Sequence, residues 1–366
     1  MALVHPLQSS EIDVIGDIHG EIDALRSLLA HLGYDKDGNH PENRKLAFVG
    51  DLVDRGPDSI AVFQLVRDLV LQGNAQTILG NHELNLLIPD PQAPSRPKYK
   101  HGNHWFHGEP ESMIPNTNEV QPQALADETI RRQIQGFLNT LPIALENEHI
   151  RIVHACWDPE SIAALRNETR SAVEAYQHHS SITQAITRGL KRRDPDTLSK
   201  EEKISLEQQL ALTEQNQNPV KILTSGKEEP SLKYWAGGRD RFTKRSQWWK
   251  TYHDEPFVVF GHYWRTLPAG TDQNGEPIPE NKLQIGDKTT IPKIFDNRQP
   301  FALLGPRQNC MCIDYSVGRR FWERYNEFPL GSTGTALGAL RFHSTNGQRR
   351  LSLLFENGEE KLLTKK

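Results

Sequence analysis

An α/β fold follows from two features of the sequence: short apolar runs recur along the chain, several of them ending in glycine, and amphipathic helical patterns lie between them. The runs are Ile12-Asp-Val-Ile-Gly16, Leu46-Ala-Phe-Val-Gly50, Thr77-Ile-Leu-Gly80, Ile150-Arg-Ile-Val153 and Phe257-Val-Val-Phe-Gly261. They are too short for buried helices and rich in β-branched residues, so each is expected to be a strand. Asp23 to His31 is expected to be a helix, with Leu25, Leu28, Leu29 and Leu32 at 3/4 spacing. Ser59 to Leu71 is a second, carrying Ile60, Phe63, Leu65, Val66, Leu69 and Val70. Cys310 to Asp314, Ala336 to Phe342 and Leu351 to Phe355 read as further strands that finish a second sheet. The whole is one domain over residues 10–356.

Two segments interrupt the alternation. Residues 89–118 are rich in Pro, His, Gly and Asn and read as a long irregular loop. Residues 159–230 are charged and Gln-rich, with helical patterns near 159–176 and 201–213. They read as a helical insertion, either a solvated face or a lid over the site.

At 366 residues and 36% hydrophobic, the chain supports one sizeable core with polar excursions. A net charge of -4 gives no reason to expect strong binding to nucleic acid or anionic membranes. Three cysteines make no disulfide framework, and all are expected to be reduced and structural. No apolar stretch of about 18 residues occurs, and the first residues lack a basic region before an apolar run. The expectation is a cytoplasmic chain.

The chemistry lies where the strands stop. The first is followed by Asp17 and His19, the second by Asp51, the third by Asn81, the fourth by His154 and the fifth by His262. A lone His or Asp after a strand means little, but five successive strand ends with metal-ligating side chains are hard to explain as packing. They are expected to share one edge of one sheet. Two carboxylates, an amide oxygen and three imidazoles suit divalent manganese, iron or zinc. They do not suit calcium, which takes oxygen cages, or structural zinc, which usually takes thiolates.

The motifs Gly16-Asp17-Ile18-His19-Gly20, Gly50-Asp51-Leu52-Val53-Asp54-Arg55-Gly56 and Gly80-Asn81-His82-Glu83 resemble the signatures of the calcineurin-like metallophosphoesterase superfamily, most closely its phosphoprotein phosphatase branch. Ile313-Asp314-Tyr315 and Ala336 to Leu340 resemble that branch's closing strands. Gly261-His262-Tyr263-Trp264 fits the same branch, because Trp264 stands where phosphodiesterase branches carry a second His. The resemblance implies a four-layer α-β-β-α sandwich of two mixed sheets flanked by helices. It also implies two divalent metal ions, manganese first, with iron or zinc as alternatives. Asp17 and His19 would bind one metal, Asp51 would bridge, and Asn81, His154 and His262 would complete the other.

The implied reaction is in-line attack on phosphorus by a metal-held hydroxide. Arg55 and Asn81 would contact the phosphoryl group, and His82, oriented by Asp54, would protonate the leaving oxygen. Arg239 is the expected second phosphate arginine, ahead of Arg241 and Arg245, because a glycine pair precedes it. His154-Ala155-Cys156-Trp157 departs from the family pattern, and Trp157 is expected to reshape the pocket wall. His101, His104 and His107 are expected on an exposed loop.

The reading is a phosphatase acting on a phosphorylated small molecule or nucleotide. Symmetrical cleavage of dinucleoside tetraphosphates is one alternative, with Trp105, Phe106, Trp157 or Trp264 stacking a base. A serine/threonine phosphoprotein phosphatase is another. A non-catalytic protein-binding scaffold is disfavoured because no ligand position is replaced.

Overall fold

The computed structural model describes residues 2–90, 102–108, 122–192, 197–236, 239–279, 294–295, 299–345 and 348–364. Side chains alternate across each strand, and that alternation splits the core in two. Ile12, Val14, Ala47, Val49, Ile150, Ile152, Phe257, Val259 and Met311 meet in one cluster between two sheets. Ile15, Leu46, Phe48, Val153, Val258, Phe260, Cys310 and Cys312 point the other way, into a cluster with the helices. This is the predicted α-β-β-α layering.

The larger sheet runs β14 (Glu360–Leu363), β13 (Gln348–Phe355), β12 (Ala336–Thr345), β2 (Ile12–Ile15), β3 (Lys45–Phe48), β4 (Ala75–Thr77), with β11 (Asp314–Tyr315) paired to β12. β2, β3 and β4 are parallel, and β12 to β14 are antiparallel neighbours. The smaller sheet runs β1 (Val4–Pro6), β5 (Ala144–Glu146), β6 (Ile150–Val153), β9 (Phe257–Phe260), β10 (Cys310–Cys312). A separate hairpin joins β7 (Glu228–Ala236) and β8 (Arg239–Arg245).

Two expectations are corrected here. The ligand-bearing strands do not share one sheet: β2, β3 and β4 lie in the larger one, β6 and β9 in the smaller. Of the C-terminal strands expected to finish a second sheet, Cys310–Cys312 does so as β10, but β12 and β13 extend the first sheet beside β2. The third strand is also displaced from its apolar run, since β4 ends at Thr77, where the run Thr77 to Gly80 begins. After Thr77 the backbone leaves the ladder, and Leu79 N–H bonds Pro142 O at 2.9 Å.

α1 (Ile22–Leu32) buries Leu25, Leu28, Leu29 and Leu32 and stops at Gly33, whose φ of 92° suits glycine. α2 (Ser59–Leu71) matches the predicted span, and the Asp58 carboxylate caps it by accepting from Ala61 N–H. Then follow α3 (Asn81–Leu87), α4 (His104–His107) and α5 (Glu128–Leu138). α4 falls inside the predicted irregular loop, most of which lies outside the described residues.

The insertion holds α6 (Pro159–Arg166), α7 (Ala172–Leu190), α8 (Lys200–Asn216) and α9 (Pro219–Ser225); the β7–β8 hairpin, which the sequence did not announce, carries on past its predicted end at 230. The predicted 159–176 helix is two helices, because Ser171 and Glu174 form a capping box that starts α7 afresh. α8 buries nothing and matches the solvated reading. α9 does not: Val220, Ile222 and Leu223 sit in the main core, and Leu223 O accepts from Ala155 N–H just after His154. α10 (Arg320–Tyr325) leads into β12.

Cys156, Cys310 and Cys312 are free and buried, as expected. Among the described residues no helix is long and apolar enough to cross a membrane.

Behind the site, Asp13 is fully buried on the helix-facing side of β2. It accepts from Arg44 at 3.0 Å, from Arg341 at 2.8–2.9 Å and from the Tyr34 hydroxyl at 3.1 Å. Removing one partner of a buried ion pair strands the other charge. Arg44→Ala should therefore lower unfolding stability by about 3 kcal/mol with divalent-metal content unchanged, as read from urea unfolding and metal analysis.

Candidate metal centre

The motif loops carry unusual backbone geometry. Nine described non-glycine residues have positive φ, and five of them are His19, Asp51, Asp54, Arg55 and His262. Each such residue costs on the order of 1–3 kcal/mol and persists only where its surroundings over-determine it. Here the loops interlock. Ile18 and His19 N–H both donate to Asp51 O, at 3.0 and 2.9 Å. A Cβ at Gly80 would sit 2.2 Å from Asp51 Oδ1, and one at Gly261 would sit 1.9 Å from Asp17 Oδ1. Glycine at these positions lets one strand end approach a carboxylate at another, within the larger sheet for Gly80 and across the two sheets for Gly261.

The six expected residues are brought together from the two sheets. His19, Asp51 and His82 form one compact donor group, and Asp51, His154 and His262 form another, so Asp51 is common to both. His154 Nε2 lies 3.2 Å from Asn81 Oδ1 and 3.4 Å from Asp51 Oδ2. Asp17 accepts from His262 N–H at 3.1 Å. Nδ1 of His19 and of His154 faces a backbone carbonyl, Val53 O at 3.1 Å and Val49 O at 2.8 Å. That contact orients each ring and leaves Nε2 for a ligand.

Electrostatics test whether cations fit. Burial, and then the neighbouring Asp314, holds the Asp17 carboxyl well above its usual range. Burial pushes Asp314 up to about 6. Burial, and then Arg245, holds His262 well below the usual imidazole range, and its buried Nε2 meets no hydrogen-bond partner. Asp314 Oδ2 is likewise buried without one. Burial would lower His154, but Asp51 and then Asp17 outweigh it and push the ring up to about 10. Burial would raise Asp51, yet His154, His82 and His19 hold it well below the carboxylate range. Buried acceptors without partners, crowded carboxylates and a proton held on His154 are what a cation would relieve. The donor set therefore fits divalent metal, with oxygen and nitrogen ligands of borderline preference.

His82, a member of the first donor group, is also hydrogen-bonded to a second carboxylate. His82 Nδ1 is 2.6 Å from Asp54 Oδ2. The Arg55 guanidinium spans His19 Nε2 and His82 Nε2, each at 3.1 Å, and lies 5.1 Å from the centre of the Trp264 ring.

Several residues escaped the sequence reading. Glu83 accepts four backbone N–H groups: Asp51 and Leu52 at 2.8 Å, Gly80 at 2.9 Å and Val53 at 3.3 Å. Burial, and then Asp51, still pushes it up to about 7. Its only sequence signal was its place at the end of the third motif. Asp314 was noted only as part of a run resembling the family's closing strands, with no role assigned.

The expected Arg239 begins β8 at the hairpin tip, and its side chain lies outside the described residues. Arg245, at the other end of β8, donates to His262 O at 3.3 Å. Six residues of strand separate the two, about 20 Å. Trp157 is buried, with Arg151 4.8 Å from its ring. Trp105 and Phe106 are buried as well, so Trp264, 39% exposed, is the expected stacking surface that remains open. His104 is buried rather than exposed, and His101 lies outside the described residues.

A family model described as calcineurin-like phosphoesterase matches residues 10–265. The asymmetrical bis(5'-nucleosyl)-tetraphosphatase PrpE of Oceanobacillus iheyensis is 52% identical over 75 residues, 20% of this chain and 30% of that protein. Its counterpart in Halalkalibacterium halodurans is 49% identical over 75 residues, again 30% of its length. The match thus spans under a third of these relatives. A cold-active protein-tyrosine phosphatase of a psychrophilic Shewanella sp. aligns over 100% of this chain and 83% of its own, at 14% identity and a TM-score of 0.44.

His154 is raised to about 10, so at neutral pH its ring is protonated without metal and must lose that proton to ligate. Manganese binding should therefore release protons at pH 7.5, and affinity should rise from pH 6 to 9. Calorimetry in two buffers of different ionisation enthalpy measures this. A buffer-independent heat would contradict it.

Proposed function

The chain belongs to the calcineurin-like phosphoesterase family, and on that premise we propose that it is a metal-dependent phosphoester hydrolase with a two-metal site. One observation carries the reading: the Asp51 carboxylate is common to both donor groups, the arrangement a bridging ligand requires. His19 with Asp17 would hold one cation and Asn81, His154 and His262 the other, manganese being the first choice. When bound, such cations neutralise phosphoryl charge and lower the pKa of a bound water.

The chain's own groups do the rest. His82 delivers the proton to the leaving oxygen, and Asp54, 2.6 Å from Nδ1, holds the ring in line. Arg55 offers a planar fork to two phosphoryl oxygens, which a lysine could not do. Arg245 is the second arginine of choice, because it reaches His262 while Arg239 sits at the hairpin tip. The substrate is a phosphorylated small molecule or nucleotide.

Dinucleoside tetraphosphate hydrolysis is a second reading, favoured by Trp264, an exposed aromatic ring beside Arg55. A panel with added manganese tests both: an aryl phosphate, a phosphopeptide and diadenosine tetraphosphate. Preference for the tetraphosphate would favour the second reading. Its products, two ADP or AMP with ATP, would separate symmetrical from asymmetrical cleavage.

His82→Ala should leave manganese content intact. It should slow phenyl phosphate about 100-fold or more and dinitrophenyl phosphate, whose leaving group needs no proton, far less. Equal losses on both esters would remove His82 from the acid role. Asp51→Asn should abolish manganese binding and turnover together, as metal analysis and the same assays would read.

A further inference from the structure

We infer that Trp105 is a positioning residue for proton delivery, acting through Asp54 on His82. The inference rests on the acid role proposed for His82. Trp105 is fully buried, and its indole N–H donates to Asp54 Oδ1 at 2.7 Å. The other oxygen of the same carboxylate, Oδ2, is 2.6 Å from His82 Nδ1. The three side chains form one line: indole, carboxylate, imidazole.

The chemistry of the indole makes the contact directional. An indole N–H donates and cannot accept. It therefore requires Oδ1 to be an acceptor and leaves Oδ2 as the oxygen that faces the imidazole. A carboxylate with one oxygen tied cannot rotate to offer His82 a different lone pair. The His82 ring is then held at one angle, with Nε2 aimed at the donor groups.

The backbone argues the same way. Asp54 and Arg55 are consecutive positive-φ residues, at 74° and 73°. Such a loop needs external ties. Asp54 N–H is held by Ser59 Oγ at 2.9 Å and Gly56 N–H by His19 O at 2.8 Å. Two further ties come from the 102–108 segment: Gly102 O accepts from Arg55 N–H at 3.3 Å, and Trp105 takes the Asp54 side chain. The segment is itself anchored, since Ala126 N–H donates to Trp105 O at 2.9 Å and Arg131 to Phe106 O at 3.3 Å. A stretch that the sequence presents as an irregular loop thus reaches under the acid and sets it.

The test uses the full chain loaded with manganese, Trp105→Phe in the wild-type and in the His82→Ala background. Phenylalanine keeps the apolar bulk and removes the donor. In the wild-type background kcat for phenyl phosphate should fall about 10-fold or more, with KM and manganese content unchanged and dinitrophenyl phosphate little affected. In the His82→Ala background the same substitution should change nothing further. Phe106→Leu disturbs the same segment but keeps the indole, and should retain wild-type leaving-group dependence.

Equal loss on both esters, the same fractional loss without His82, or a selective loss in Phe106→Leu would overturn the inference. If His82→Ala itself fails to discriminate between the esters, the acid role falls first and the inference with it, and that outcome is read from the single variant alone. A spectroscopic readout does not depend on the Trp105 variant folding. Among the indole N–H resonances of the seven tryptophans, one should lie well downfield and lose that shift in Asp54→Asn. No such change would also overturn it.

Discussion

The Glu83 carboxylate gathers four backbone N–H groups from the ends of β3 and β4, and the geometry above it follows from that. It draws the Asp51–Val53 turn and Gly80 onto one point. Asp51 is thereby placed with its Oδ1 accepting from His82 N–H at 3.0 Å and its Oδ2 facing His154. Backbone donors at this depth have no water to turn to, so the carboxylate satisfies what would otherwise be four costly orphans. Its price is a buried acid beside Asp51, which is why its carboxyl is pushed up to about 7.

The same crowding explains why the site selects cations. Asp17, Asp51, Glu83 and Asp314 are all buried within reach of one another's fields, against one raised imidazole at His154. Clustered acids of one sign are unfavourable in a low-dielectric interior unless positive charge joins them. His19 and His262, whose rings burial keeps neutral, add donors without adding charge of either sign. The balance of acids and neutral imidazoles thus favours cation binding while keeping the ligands ready.

Segments outside the three motifs brace the site from behind. α9 closes on the segment after His154. The end of α9 meets the segment after His262, where a Cβ at Gly226 would lie 2.1 Å from the Tyr263 hydroxyl. The 102–108 segment ties down Asp54 and Arg55. Each contact reaches a residue next to a ligand or an acid-pair member, so the insertions act on orientation rather than only on access.

Three motifs made most of the donor set legible, because their partners are close in sequence and local turns bring them together. Asp17 with His19, Asp51 with Asp54 and Arg55, and Asn81 with His82 each need only a few residues of tight backbone after a strand. The short apolar runs likewise announced β2, β3, β6 and β9, since alternation and burial are local properties. Which sheet each strand joins was not announced, because pairing between segments far apart leaves no mark on either one. β12 and β13 were therefore assigned to the wrong sheet, and the ligands to a single edge. Arg245, Trp105 and Asp314 owe their importance to partners 17, 51 and nearly 300 residues away. So the sequence by itself determined the donor chemistry and its local turns. Only the packing of two sheets and two insertions decided which distant residues hold those donors in place, since that depends on contacts that exist only once the chain has closed on itself.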